Sequence, residues 1–197
     1  MQKIMFNDRY GLTKAVFEGR KTQTRREAFY AESVCCEFNR QGKLECFTYD
    51  DESEYPIHTS RYAKGEIAIA QSYRGIAEEM KDAICAEELG KFYVKPFIDT
   101  KGWNNKMFVR ADLMPHHIRI TNIRCERLQD ISESDCIKEG VCCYSTNSFV
   151  IWDYEKSKCF RFYTAKECFL YLLNLVSKKE HRTINPYVIV YEFELID

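Results

Sequence analysis

The chain has 197 residues and a mass of 23.4 kDa, which suits one domain with a sizeable core. Its 14% aromatic content excludes a disordered chain, and 8 Gly with 4 Pro exclude a fibrous or linker-like composition. The 29 Lys and Arg nearly cancel the 30 Asp and Glu, so the net charge of −1 gives no global attraction to nucleic acid or an anionic membrane. Any such partner would have to be met by a local patch.

Residues 4–6 read as an opening strand. Asn7 or Asp8 is placed to cap a helix whose apolar residues, Leu12, Ala15 and Val16, recur at helical spacing. Gly19 is placed to end it. The run RKTQTRR over 20–26 leaves the helix as an extended strand or loop. Residues 28–62 are polar and read as a hairpin-like insertion, with a turn at 39–42 and a strand at 44–49. After a turn at Lys64 and Gly65, residues 66–73 alternate isoleucine with alanine, which suits a strand inside a closed sheet. Residues 76–89 carry an acidic helical pattern outside the core.

Strands are expected at 106–110 and 118–128. In the second, Ile118 and Ile120 share a parity that Ile123 and Cys125 do not, which predicts a bulge near Thr121 and Asn122. Ser132 and Asp135 mark a helix start, and Gly140 its stop. Thr164 and Glu167 form a capping box that opens an amphipathic helix to about residue 178. Asn185 and Pro186 turn the chain into a strand over 187–195, with Tyr187, Ile189, Tyr191, Phe193 and Leu195 on one face. Short strands and helices without a repeating βαβ rhythm predict an α+β fold on a small mixed barrel. The expectation is a single domain over 1–197, with insertions near 28–60 and 75–100.

The 10 cysteines include no Cys-x-x-Cys pair, so the usual zinc spacing is missing. No apolar run suits a signal peptide or a membrane span. These observations predict a cytoplasmic chain, outside membranes, whose cysteines are reduced and mostly buried. The adjacent His116 and His117 point to opposite faces of a strand, and no metal or other cofactor is expected.

The densest chemical signal is GRKTQTRR, residues 19–26. One reading is a solvated, charged edge strand. The other takes Thr22 and Thr24 as hydroxyls interleaved with cations, where a desolvated Lys21 takes the Thr24 proton and makes the hydroxyl nucleophilic. Tyr73, Trp103 and Trp152 suit base stacking or ordinary packing.

Gly19-x-Lys21 followed by Arg26 resembles the signature of the ASCH domains, a family with the PUA-like β-barrel that acts on RNA or nucleosides. The blocks YAKGEIAIAQSY, NKMFVRADLMPHHIRITNIRCERLQDISESDCIKEGV and NPYVIVYEFEL are similar to longer members from bacteria and phages. The resemblance leaves out 28–60, 75–100 and 141–163. One branch hydrolyses the amide of N4-acetylcytidine with a lysine, a threonine and a glutamate. Matching motif to motif, these roles fall on Lys21, Thr24 and Glu139. Gly19, Arg20, Thr22, Arg26 and Tyr73 would then contact RNA or a modified nucleoside. The alternatives are a non-catalytic RNA-binding module and a phage- or host-associated interaction protein.

Overall fold

A computed structural model describes residues 2–49, 57–80, 100–177 and 185–196. Contacts divide the chain into two compact units. The first holds Met1–Phe6, Glu66–Ile118 and Ile196–Asp197, and the second holds Asn7–Gly65 and Arg119–Leu195.

In the first unit, β1 (Lys3–Ile4) pairs in parallel with β6 (Gly65–Ile69), Ile4 opposite Ile69. The strand expected over 66–73 therefore ends early, and Tyr73 opens α2 (Tyr73–Met80). The Tyr73 amide donates to Gly102 O at 3.0 Å, and its ring packs so closely on Gly102 that any side chain there would collide with it. Tyr73, Ala68, Ile76, Val109 and Met114 form this unit's core. The strand expected at 106–110 is replaced by two single turns of 3₁₀ helix, at Lys106–Phe108 and Ala111–Leu113. The local cause is the Asn105 side chain, which accepts from the Met107 amide and closes a turn. Trp103 lies against the same core, half-buried. The acidic helix expected over 76–89 is seen as far as Met80, and its remainder lies outside the described residues.

In the second unit, α1 (Leu12–Phe17) begins at Gly11, which has φ +69°, and not at Asn7 or Asp8. The Asp8 carboxylate accepts from the Thr13 hydroxyl one turn into the helix. Gly19, at φ +70°, ends α1 as expected, with its amide on Val16 O. The basic run then becomes β2 (Gln23–Phe29). Residues β3 (Ser33–Phe38), β4 (Leu44–Tyr49) and β5 (Ile57–Thr59) form an antiparallel sheet in that order, so the polar insertion is three strands. Its turn lies where expected, with the Gly42 amide on Asn39 O at φ +72°.

β7 (His117–Arg127) and β11 (Tyr187–Leu195) lie beside β2 in the order β7, β11, β2. Burial along β7 changes parity across Thr121 and Asn122, as the isoleucine spacing implied. In β11 both faces are covered: Val188 and Val190 enter the core as fully as Ile189 and Tyr191. Helix α3 (Glu133–Lys138) starts on the Ser132 hydroxyl and stops at Gly140, and α4 (Ala165–Ser177) starts on the Thr164 hydroxyl. Glu133 of α3 also caps α4, accepting from the Ala165 amide at 2.7 Å. Between them, β8 (Cys142–Ser145), β9 (Ser148–Asp153) and β10 (Lys158–Phe162) form an antiparallel meander that the sequence pattern had left unassigned. Leu128, Ile151, Phe169, Leu172, Val188 and Val190 form the core beneath it.

The fold is thus α+β, rich in sheet, with four short helices among the described residues. No ladder among the described strands closes into a barrel. No described helix is long and apolar enough to cross a membrane.

Candidate functional site: a buried ionic network beside an aromatic cleft

Lys21, Gln23 and Arg25 of the basic run lie buried at and just before the start of β2, where they meet acids from the end of α3, from β7 and from β11. Lys21 precedes the strand, its amide on Ala15 O, and the Thr22 amide binds Lys138 O at the end of α3. The Lys21 ammonium donates to Gln23 O, Glu139 O and Glu139 Oε2, each at 2.7 Å. Lys21 is 2% exposed and Glu139 4%. Burial pulls the Lys21 pKa below its ordinary value, and the Glu139 carboxylate opposes that fall.

Arg25 is the hub of the network, although the sequence reading gave it no role. It donates to Glu126 at 2.8 Å and to Glu139 Oε1 at 3.0 Å, and Asp135 lies at 3.4 Å. Gln23 links the same face, donating to Asp135 and to Glu192 of β11. Arg124 of β7 binds Glu126, Asp135 and Glu192, and Lys138 binds Asp135 at 3.1 Å. Burial tends to raise the Asp135 pKa, but Lys138, Arg25 and Arg124 outweigh it and hold the carboxyl below its usual range. Four cations meet four carboxylates, so the centre of the basic run is neutralised inside the protein. Polar residues at alternate positions of β2 and a glutamate within apolar β11 were the available signals. Strand parity takes on meaning only once the facing helix is known.

Lys21 and Glu139 are therefore brought together, and Thr24 is not. Strand alternation puts Thr24 on the face of β2 opposite Gln23 and Arg25. There it is buried and stands directly across from Tyr191. Tyr191, its hydroxyl pKa raised by burial, accepts from the Arg61 amide and packs edge-on against Tyr62. Arg26 shares that parity, half-buried and opposite Ile189. Thr22 is half-buried with its carbonyl accepting from the Phe193 amide. Tyr73 is enclosed in the first unit's core, because the chain turns into α2 there, and so offers no stacking face at a rim. Gly19 acts as a helix terminator.

Arg20 is exposed, paired with Glu18 at 2.5 Å, and lines a cleft with Tyr10, Gly11, Gly140, Trp152 and Tyr154. Trp152 and Tyr154 are 48% and 57% exposed. Between them the buried Asp153 accepts a bidentate pair of bonds from Arg9, while the Tyr154 amide binds Arg9 O. These bonds anchor the strand end whose flanking residues carry the two rings. The chain neighbours of Lys21 and Glu139, namely Arg20 and Gly140, thus form one wall of an aromatic cleft.

The cysteines depart from the expected burial. Among the nine described, Cys46, Cys136 and Cys168 are buried, while Cys35, Cys36, Cys143 and Cys159 are exposed. The exposed ones stand on β3, β8 and β10, outer strands of their three-stranded sheets. Of the two histidines considered for metal, His116 contacts Glu79 at 2.6 Å in the first unit. Comparison with family models, with curated proteins and with solved structures gave no match.

Proposed function

We propose that this is an ASCH-type protein of the PUA-like class that binds a modified nucleoside or an unpaired RNA base, with β2, β7 and β11 belonging to its barrel sheet. The observation that carries this reading is the Lys21–Glu139 contact. The family resemblance selects these two residues, which are 118 positions apart, and their side chains lie 2.7 Å from each other. Beside that junction, Trp152 and Tyr154 offer stacking faces and Arg20 a cation for a carbonyl oxygen or a phosphate. Because the buried cations are already neutralised, recognition rests on stacking and on Arg20, and a single base suits the cleft better than a long duplex.

A second reading, hydrolysis of an N4-acylated cytidine, draws on the lowered pKa of Lys21. In that reaction a neutral Lys21 removes the Thr24 proton, and the Thr24 oxygen attacks the amide carbonyl. Glu139 relays that proton from Lys21 to the leaving amine as the C–N bond breaks, and water then hydrolyses the acyl–threonine ester to release acetate. Lys21 already has three acceptors, and Thr24 lies on the other face of β2, so hydrolysis requires the start of the strand to rearrange. Binding without hydrolysis therefore leads.

The test pairs fluorescence anisotropy of short single-stranded RNA with calorimetry of N4-acetylcytidine and cytidine, and follows acetate release in the same samples. Saturable binding that Trp152→Ala weakens, with no acetate released, is expected. Acetate release abolished by Thr24→Ala would put the hydrolase ahead. No affinity for any of these probes overturns both readings.

A further inference from the structure

On the face of β7 opposite Arg124 and Glu126, three thiols from three different strands converge. Cys36 of β3 and Cys46 of β4 are directly opposed in the antiparallel register, so their side chains share one face of that sheet. Their sulfurs are 3.0 Å apart. Cys125 of β7 supplies a third sulfur, and all three lie within 4.8 Å of one another. All three residues belong to the second unit.

We propose that Cys36, Cys46 and Cys125 form a three-thiolate site for a thiophilic d10 cation, zinc(II) or copper(I). Such ions prefer sulfur ligands, and zinc–sulfur bonds of about 2.3 Å put three ligands of one ion roughly 4 Å apart. The observed cluster reaches that spacing by small side-chain rotations. The environment also fits. Cys46 is fully buried and fixes one side of the site, while Cys36 is exposed and gives an ion a path in. His58 stands next in the same cross-strand row, opposite Cys46, but its ring stacks on Phe29 with centroids 4.2 Å apart and lies outside the thiol cluster, so water would complete the coordination. A bound ion would tie the insertion sheet to β7, a strand of the sheet that carries the ionic network. The ligands are 10 and 79 residues apart in sequence, so no short metal motif announces them.

Binding requires the thiols to release their protons, so affinity rises with pH. The full chain, reduced and freed of metal, is titrated with zinc(II) and, in a parallel anaerobic arm, with copper(I). Retention of one ion per chain through desalting is expected, with three thiols then shielded from an aromatic disulfide reagent. Cys36→Ser, Cys46→Ser and Cys125→Ser each abolish retention, while Cys143→Ser and Cys159→Ser leave it intact. Because Cys46 is buried, the exposed Cys36→Ser variant, with its fold checked by circular dichroism, carries the result if Cys46→Ser does not fold. Retention of either ion supports the site, and the two arms show which is preferred. Undiminished retention by the triple variant, or thiol reactivity unchanged by either ion, overturns it. So does a Cys36–Cys46 disulfide in protein isolated without reductant whose reduced form takes up no metal.

Discussion

Lys21 Nζ and Glu139 Oε2 meet at 2.7 Å, and neither side chain reaches solvent to more than 5% of its surface. A buried ion pair gains little net stability over an apolar pair, because desolvating both charges offsets most of their attraction. Breaking one side is different. The partner charge stays buried without its counter-ion, and here the same carboxylate also neutralises Arg25 at 3.0 Å.

Glu139→Gln should therefore cost about 3–5 kcal/mol in stability. The double variant Lys21→Met with Glu139→Gln should cost clearly less than the sum of the singles, as read from urea denaturation. Burial keeps the Lys21 pKa below 10.5, so the folded chain binds this proton less firmly than the unfolded chain. The penalty is then fully present below the folded pKa and relieved as pH rises from it toward 10.5. Stability attributable to Lys21 rises across that window. Glu139→Gln removes the opposing attraction and extends the window downward, while Lys21→Met abolishes the rise. A flat difference between wild type and Lys21→Met over the window would refute this account.

Gly140 ends α3 at φ +97°, and a Cβ there would sit 3.3 Å from Leu12 and 3.4 Å from the Lys21 stem. Gly140→Ala thus combines backbone strain with pressure on the buried lysine, and about 1–3 kcal/mol of destabilisation is expected. Gly19→Ala is the control. Its φ is +70°, but nothing lies within 4 Å of the added carbon, so only the left-handed backbone cost of about 1–2 kcal/mol applies. Equal midpoints in denaturant would show that the packing against Lys21 adds nothing.

Local signals were legible in the sequence where a few adjacent residues decide the outcome. Gly19, Ser132, Gly140 and Thr164 start or stop helices through hydrogen bonds made within one turn. The alternation of β11 likewise marks a strand without reference to any partner. The segment at 106–110 failed for an equally local reason: one asparagine side chain closed a turn that hydropathy cannot register. The site was harder. Lys21 and Glu139 came from resemblance, whereas Arg25, Asp135, Glu126 and Glu192 acquire a role only when β2, β7, β11 and α3 share a face. The three clustered thiols depend on cross-strand register in the same way. The near-zero net charge proved informative locally as well, since four cations and four carboxylates cancel within the network.

Asp135 carries the acid limit of that network. Lys138, Arg25 and Arg124 hold its pKa below 3.8 against the opposing effect of burial, so the folded state binds this proton less firmly than the unfolded state. Its contribution is present above the unfolded value and is lost as pH falls through the folded one. Asp135→Asn should lower stability near neutral pH and flatten the acid-side decline of the denaturation midpoint. A variant whose midpoint falls with acid in parallel with wild type would place that decline on other carboxylates.

Trp152 and Arg20 separate stacking from charge in the proposed cleft. Trp152 is 48% exposed on a strand end held by the Arg9–Asp153 pair, so truncating it leaves the core untouched. If a base stacks there, Trp152→Ala should weaken single-stranded RNA and nucleoside binding by about 1–3 kcal/mol, with little change in salt dependence. Arg20 already shares Glu18, so its use by a phosphate must compete with that pair. Arg20→Ala should weaken RNA binding but spare the free nucleoside, and should reduce the slope of log affinity against log salt by about one. Anisotropy titrations over a range of salt concentrations measure both quantities. Loss of nucleoside binding in Arg20→Ala would instead assign the arginine to the base. An unchanged affinity in Trp152→Ala would remove the cleft from the binding site altogether.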